Sequence, residues 1–143
     1  LVMAKAKFPN LRLAFLSSRI YAGYATTALN PEPYAYESAF AVRWTIADQQ
    51  AGAGDMNWDE KKGAAKAPLA LWGPYLWADG TPPRKADGLI WARGDLGGDG
   101  THPSPESGCR KVADLLLQFF KTDPYAKPWF VGATGNPPAP PGD

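Results

Sequence analysis

The run Leu11-Arg-Leu-Ala-Phe-Leu-Ser-Ser18, entered through the turn residues Pro9-Asn10, constrains this chain more than any other segment. An apolar stretch of that length between turn signals suits a strand buried on both faces of a parallel sheet. Ile20 to Pro33 follows as a long connection rich in Tyr, Ala, Thr and Pro, of the kind that often carries function. From Pro33 to about Gln50 a helix is predicted. Tyr36, Phe40, Trp44 and Ala47 recur at helical spacing, and Glu37, Arg43 and Asp48 can face water. Gly52-Ala-Gly54 ends it, and 55–67 is polar and irregular.

Pro68-Leu-Ala-Leu-Trp72 reads as a second strand, bent at Gly73-Pro74, with Tyr75-Leu-Trp77 as a continuation. Asp79-Gly80 and Pro82-Pro83 mark an exposed turn. Gly88-Leu-Ile-Trp91 fits either a third strand or a packed loop. The clearest element is a helix running to about Thr122, with Ser104 as N-cap, Pro105 at its first position and Glu106 near its positive end. Val112, Leu115, Leu116, Phe119 and Phe120 form its apolar stripe, and Pro124 lies just beyond its end. Trp129-Phe130 is expected to pack back onto the domain. Residues 132–143 form a Gly/Pro-rich tail.

Strand, helix, strand, helix is an α/β order with parallel pairing. Two or three strands make a small sheet, so its outer edges are left unpaired, and association of two copies through the Leu11–Ser18 edge is expected. At 143 residues, 45% apolar and 20% charged, the chain suffices for one domain with its own core. The net charge is +1, and no basic run exceeds Lys61-Lys62 or Arg110-Lys111. That balance gives no electrostatic reason to expect nucleic acid or an anionic membrane. No apolar run approaches membrane-spanning length. A single cysteine, Cys109, excludes an internal disulfide. Leu1-Val-Met-Ala-Lys-Ala-Lys7 looks like the last turns of a helix, so a fragment of something longer is expected.

The chemistry concentrates in Asp95-Leu-Gly-Gly-Asp-Gly-Thr-His-Pro-Ser104, which joins glycine-rich turns to the last helix and holds the only histidine. Asp99 and His102 are three residues apart. A carboxylate near His Nδ1 can fix the tautomer and stabilise the imidazolium, leaving Nε2 as general base. The alternative is that Asp99 caps a turn and His102 is a surface side chain.

Asp99-Gly-Thr-His102-Pro-Ser, followed by Gly108, Val112-Ala113 and an amphipathic helix, resembles the last conserved block of the SGNH/GDSL serine ester hydrolases. The resemblance extends over about residues 5 to 130 and through the preceding strand–helix units. It implies a partial SGNH-like, flavodoxin-like α/β/α fold, with residues 1–131 as the C-terminal part of the domain. It also implies hydrolysis of acyl or acetyl esters, of small molecules or carbohydrate, with no cofactor, His102 as base and Asp99 orienting it.

The family's Gly-Asp-Ser nucleophile block and its glycine and Gly-x-Asn-Asp oxyanion blocks have no counterpart here. An Asp–His pair alone forms no acyl-enzyme. Ser17 and Ser18, at the end of the first strand where ligands bind in open α/β sheets, are the candidate nucleophiles. They could instead bond backbone groups there. Otherwise the nucleophile would come from a missing N-terminal portion or another chain. Ser104 is better explained as a cap, Ser107 as a first-turn residue, and Ser38 lies inside a helix.

Tyr21, Tyr24, Tyr34 and Tyr36, around Asn30-Pro-Glu-Pro33, could line a cleft for a sugar or aromatic acyl group with Trp72, Trp77 and Trp91. They could equally be packing residues. A non-catalytic fragment or aromatic-lined carbohydrate-binding module is the rival function. Glu32, Glu37, Asp79 and Asp87 lack the spacing of a glycosidase pair. Asp95, Asp99 and His102 are a poor metal set, and no metal is expected.

Overall fold

A computed structural model describes residues 1–28 and 31–132. The Gly/Pro tail expected over 132–143 lies outside the described residues except for Gly132, as does Asn30. The chain is a mixture of helix and strand around a two-stranded parallel sheet. In order it forms α1 (Val2–Lys7), β1 (Leu13–Leu16), α2 (Tyr34–Gln50), β2 (Leu69–Trp72), α3 (Gly108–Thr122) and α4 (Lys127–Phe130). Short 3-10 turns lie at Glu60–Lys62 and Arg93–Asp95.

Leu13 pairs with Leu69 and Leu16 with Trp72. Side chains alternate along a strand, so Phe15 and Leu71 share one face while Leu16 and Trp72 share the other. Phe15 meets Phe119 of α3 edge-on at 5.1 Å. Trp72 lies beside Tyr36 and Phe40 of α2. The two long helices therefore cover opposite faces.

Several expectations need correction. β1 is four residues rather than eight, and all four are only half-buried, because nothing among the described residues pairs with its outer edge. Tyr75–Trp77 is a loop rather than a continuation of the second strand, and Gly88–Trp91 takes the packed-loop alternative. In α2 the buried residues are Ala35, Ala39 and Gln49, while Tyr36 and Trp44 are exposed. Small side chains let the helix approach closely, and a two-stranded sheet is too narrow to cover its aromatic face. α3 begins at Gly108, because residues 104–107 first wind a turn. Ser104 still serves the helix start: its Oγ accepts from Gly108 N at 3.2 Å and donates to Gly94 O at 2.9 Å.

The two sheet edges differ. Leu69 N donates to Arg12 O at 2.9 Å and Gly73 N to Leu16 O at 2.8 Å, so odd residues of β2 face even residues of β1. The Ala70 amide then points outward, where the buried Gln49 side chain meets it. Gln49 Oε1 accepts from Ala70 N at 2.7 Å, and Nε2 donates to Pro68 O at 2.9 Å and Met56 O at 3.2 Å. One side-chain amide thus stands in for a neighbouring strand and seals that edge. On β1 the outward amides and carbonyls belong to Leu13 and Phe15, and no described strand meets them.

A core cluster lies after the strands. Trp91 is fully buried with Ala78 and Leu96, packed by Ile20, Tyr21, Tyr24 and Val112. Its indole donates to Leu76 O at 2.9 Å. Asp95, also buried, accepts from Ala92 N at 2.8 Å and from Lys111 of α3 at 2.5 Å. Burial alone would raise its pKa, but the bonds from Lys111, Ala92 and Ser107 hold it below the usual carboxylate value. At the start of α3, a Cβ on Gly108 would come 2.0 Å from Asp95 O, so only glycine lets the helix seat here. This core forms the platform under the Asp99–His102 loop.

Candidate active site

The loop is closed at its base by an antiparallel bridge between Leu96 and Pro103. Gly97 N donates to His102 O at 2.8 Å and Ser104 N to Asp95 O at 2.8 Å. The Arg93 guanidinium braces it from outside, donating to Leu96 O at 3.0 Å and Gly97 O at 2.9 Å. Within this frame the carboxylate of Asp99 divides its work. Oδ1 accepts from Thr101 N at 3.0 Å and His102 N at 3.1 Å, and Oδ2 meets His102 Nδ1.

These contacts favour one arrangement of the protons. The Thr101 backbone N–H first, then the His102 ring and backbone N–H, depress the Asp99 pKa far below the usual carboxylate range. An ionised carboxylate only accepts, so the proton of the contact belongs to Nδ1. Nε2 of a neutral ring is then unprotonated. The imidazole is 84% exposed, so Nε2 is open to an incoming group. Asp99 and His102 are thus in contact as a carboxylate–imidazole pair built from one loop.

The loop is also anchored to the segment that follows β1. Thr26 N donates to Asp99 O at 3.0 Å. Gly100 has φ +71°, and a Cβ there would lie 1.8 Å from Tyr24 O. Because the strands are parallel, the loops after β1 and β2 leave the same end of the sheet. The pair is therefore tied to the carboxyl end, where open α/β sheets place their ligands. Gly100→Ala is expected to cost about 1–2 kcal/mol for the left-handed backbone alone, with the Tyr24 clash added. The expected outcome is a thermal midpoint several degrees lower; an unchanged midpoint would show that this close approach does not exist.

The two serines proposed for this end differ. Ser18 is buried, and its Oγ accepts from Leu76 N at 2.9 Å and Trp77 N at 3.2 Å, tying the two post-strand loops together. It is committed to backbone. Ser17 is half-buried, with Oγ 2.9 Å from where a Cβ on Gly73 would stand. Neither makes a hydrogen bond to His102, whose ring contacts are Asp99 and Thr101. Ser38 is occupied with Ala35 O at 2.7 Å, and Ser107 with Gly94 O at 3.2 Å.

Comparison of the chain with protein-family models, curated proteins and solved structures returns no match.

The aromatic residues do not form one cleft. Trp91 is core, and Tyr21 packs edge-on against Tyr24 at 5.4 Å and Trp77 at 6.5 Å. Tyr34 is exposed, whereas Tyr36 and Trp72 border a groove beside α2. Glu32 is a structural tie rather than an acid. Its Oε1 accepts from Ala22 N at 2.9 Å and Trp77 Nε1 at 3.0 Å, and its Oε2 from Tyr36 N at 3.1 Å. Asp95 is turned to Lys111, and among the described residues no three of His, Cys, Asp and Glu gather as metal ligands. Sequence reasoning missed both the Glu32 tie and the Gln49 seal, because their partners are remote in sequence. No helix among the described residues is long and apolar enough to cross a membrane.

Proposed function

We propose that this chain is the base-bearing part of a carboxylic-ester hydrolase of the SGNH type. The observation that carries the reading is the Asp99 carboxylate, fixed by two backbone N–H groups, holding His102 by Nδ1 with Nε2 exposed. His102 Nε2 takes the proton of an attacking hydroxyl as its oxygen bonds the ester carbonyl carbon. The imidazolium, stabilised by Asp99, then gives that proton to the leaving alkoxide. If the attacking hydroxyl is a side chain, water repeats the cycle and frees the acid. The chemistry needs no cofactor.

Ser17 is the internal candidate for the nucleophile, since Ser18 is occupied. The other source is a segment added across the open edge of β1, supplied by a second copy of this chain or by another polypeptide. An apolar strand of half-exposed residues, whose Leu13 and Phe15 backbone groups meet no described strand, is the surface such a segment would cover. The substrate class is acyl or acetyl esters of small molecules or carbohydrate.

The test is steady-state release of p-nitrophenol from p-nitrophenyl acetate by the folded chain. Saturable turnover above the heat-denatured control is expected, together with labelling by a serine-directed fluorophosphonate whose adduct names the nucleophile. A rate equal to the control at every protein concentration, with no fluorophosphonate adduct, would contradict a nucleophile on this chain or on a second copy of it.

A further inference from the structure

α2 and the end of β2 enclose a groove of about 530 Å³, within the usual size of small-ligand sites. Its aromatic lining is Tyr36, Phe40, Trp72 and Tyr75, and its aliphatic lining is Ala39, Ile46 and Ala47. Trp72 and Tyr75 lie 6.2 Å apart with their rings inclined by 30°. Tyr36 is backed by Trp77 at 4.8 Å. Arg84 lies 5.3 Å from the Tyr75 ring and bonds Tyr75 O at 2.8 Å, holding that residue in place.

One charge lines this groove. Arg43 is exposed and makes no ion pair or hydrogen bond with any described residue, unlike Arg12, Arg84 and Arg93. A lone guanidinium beside flat rings matches a single carboxylate attached to a planar apolar body. Beside Arg43 the lining offers polar side-chain groups only in Gln50, Tyr36, Tyr75 and the Trp72 indole, fewer than the hydroxyls of a sugar call for.

We propose that this groove is a binding site for small aromatic monocarboxylates, with the ring on Trp72 and Tyr75 and the carboxylate on Arg43. The site is separate from the Asp99–His102 pair and does not depend on the hydrolase reading.

The test is titration of the uniformly 15N-labelled chain with trans-cinnamate, cinnamyl alcohol and glucuronate, followed at the six tryptophan indole N–H signals. Cinnamate is expected to shift the Trp72 signal saturably, with the uncharged alcohol and the acidic sugar each at least about tenfold weaker. Arg43→Gln should weaken cinnamate by about tenfold, Arg43→Lys should restore part of the loss, and His102→Ala should leave binding unchanged. Arg43 is exposed, so its variants keep the fold. Equal binding of cinnamyl alcohol, indifference to Arg43→Gln, tighter binding of glucuronate, or no saturable Trp72 shift at millimolar ligand would each overturn the proposal.

Discussion

Replacing His102 with alanine is expected to lower p-nitrophenyl acetate turnover about 10²–10⁴-fold, the usual contribution of a positioned general base. The thermal midpoint should not move, because the imidazole is 84% exposed and supports no packing. That separation of activity from stability makes the variant informative. Asp99→Asn should fall between the two proteins. The amide oxygen can still accept from Thr101 N and His102 N, but the amide nitrogen would face Nδ1 and favour the wrong tautomer. Turnover unchanged in His102→Ala would remove the catalytic assignment, whatever the origin of the activity.

Trp91→Ala should have the largest effect on the fold, at about 3–5 kcal/mol. The indole is fully buried among Ala78 and Leu96, and its loss also strands the Leu76 carbonyl without its donor at 2.9 Å. Lys111 lies 5.8 Å from the ring and would lose that contact as well. Against a net stability of about 5–15 kcal/mol, typical of single domains, the variant sits near unfolding. Trp91→Phe, which keeps most of the volume but not the N–H, should cost less. Urea denaturation of the three proteins measures the series. A loss below about 1 kcal/mol for Trp91→Ala would mean that this core does not support the loop.

The two predictions concern parts of the molecule that were unequally legible in the sequence. The Asp99–His102 contact could be anticipated because it is local: three residues apart, in a loop whose glycines permit a tight return. The bounds of α2 were legible for the same reason, with Pro33 before it and Gly52 after it. Its buried face was not. Periodicity singled out Tyr36 and Trp44, but a two-stranded sheet gives them no cover, and Ala35, Ala39 and Gln49 make the contact instead. The Gln49 side-chain amide bonds Pro68 O and Ala70 N, nineteen and twenty-one residues ahead in the chain. That Ser18 could bond backbone at the strand end was legible, but not its partners, because only the folded loops bring the Leu76 and Trp77 amides to it. What remained hidden is packing and hydrogen bonding between residues distant in sequence, which no local pattern encodes.

The central claim is that Asp99 holds His102 as a base with Nε2 free. His102 is the only histidine, so its ring nitrogens give one unambiguous set of signals in a long-range 1H–15N spectrum. Recorded with the ring neutral, that spectrum should place the proton on Nδ1 and show Nε2 unprotonated. Asp99→Ala should return the ring to the tautomer mixture of an exposed histidine. A proton on Nε2 in the unaltered chain, with no change on replacing Asp99, would contradict the account.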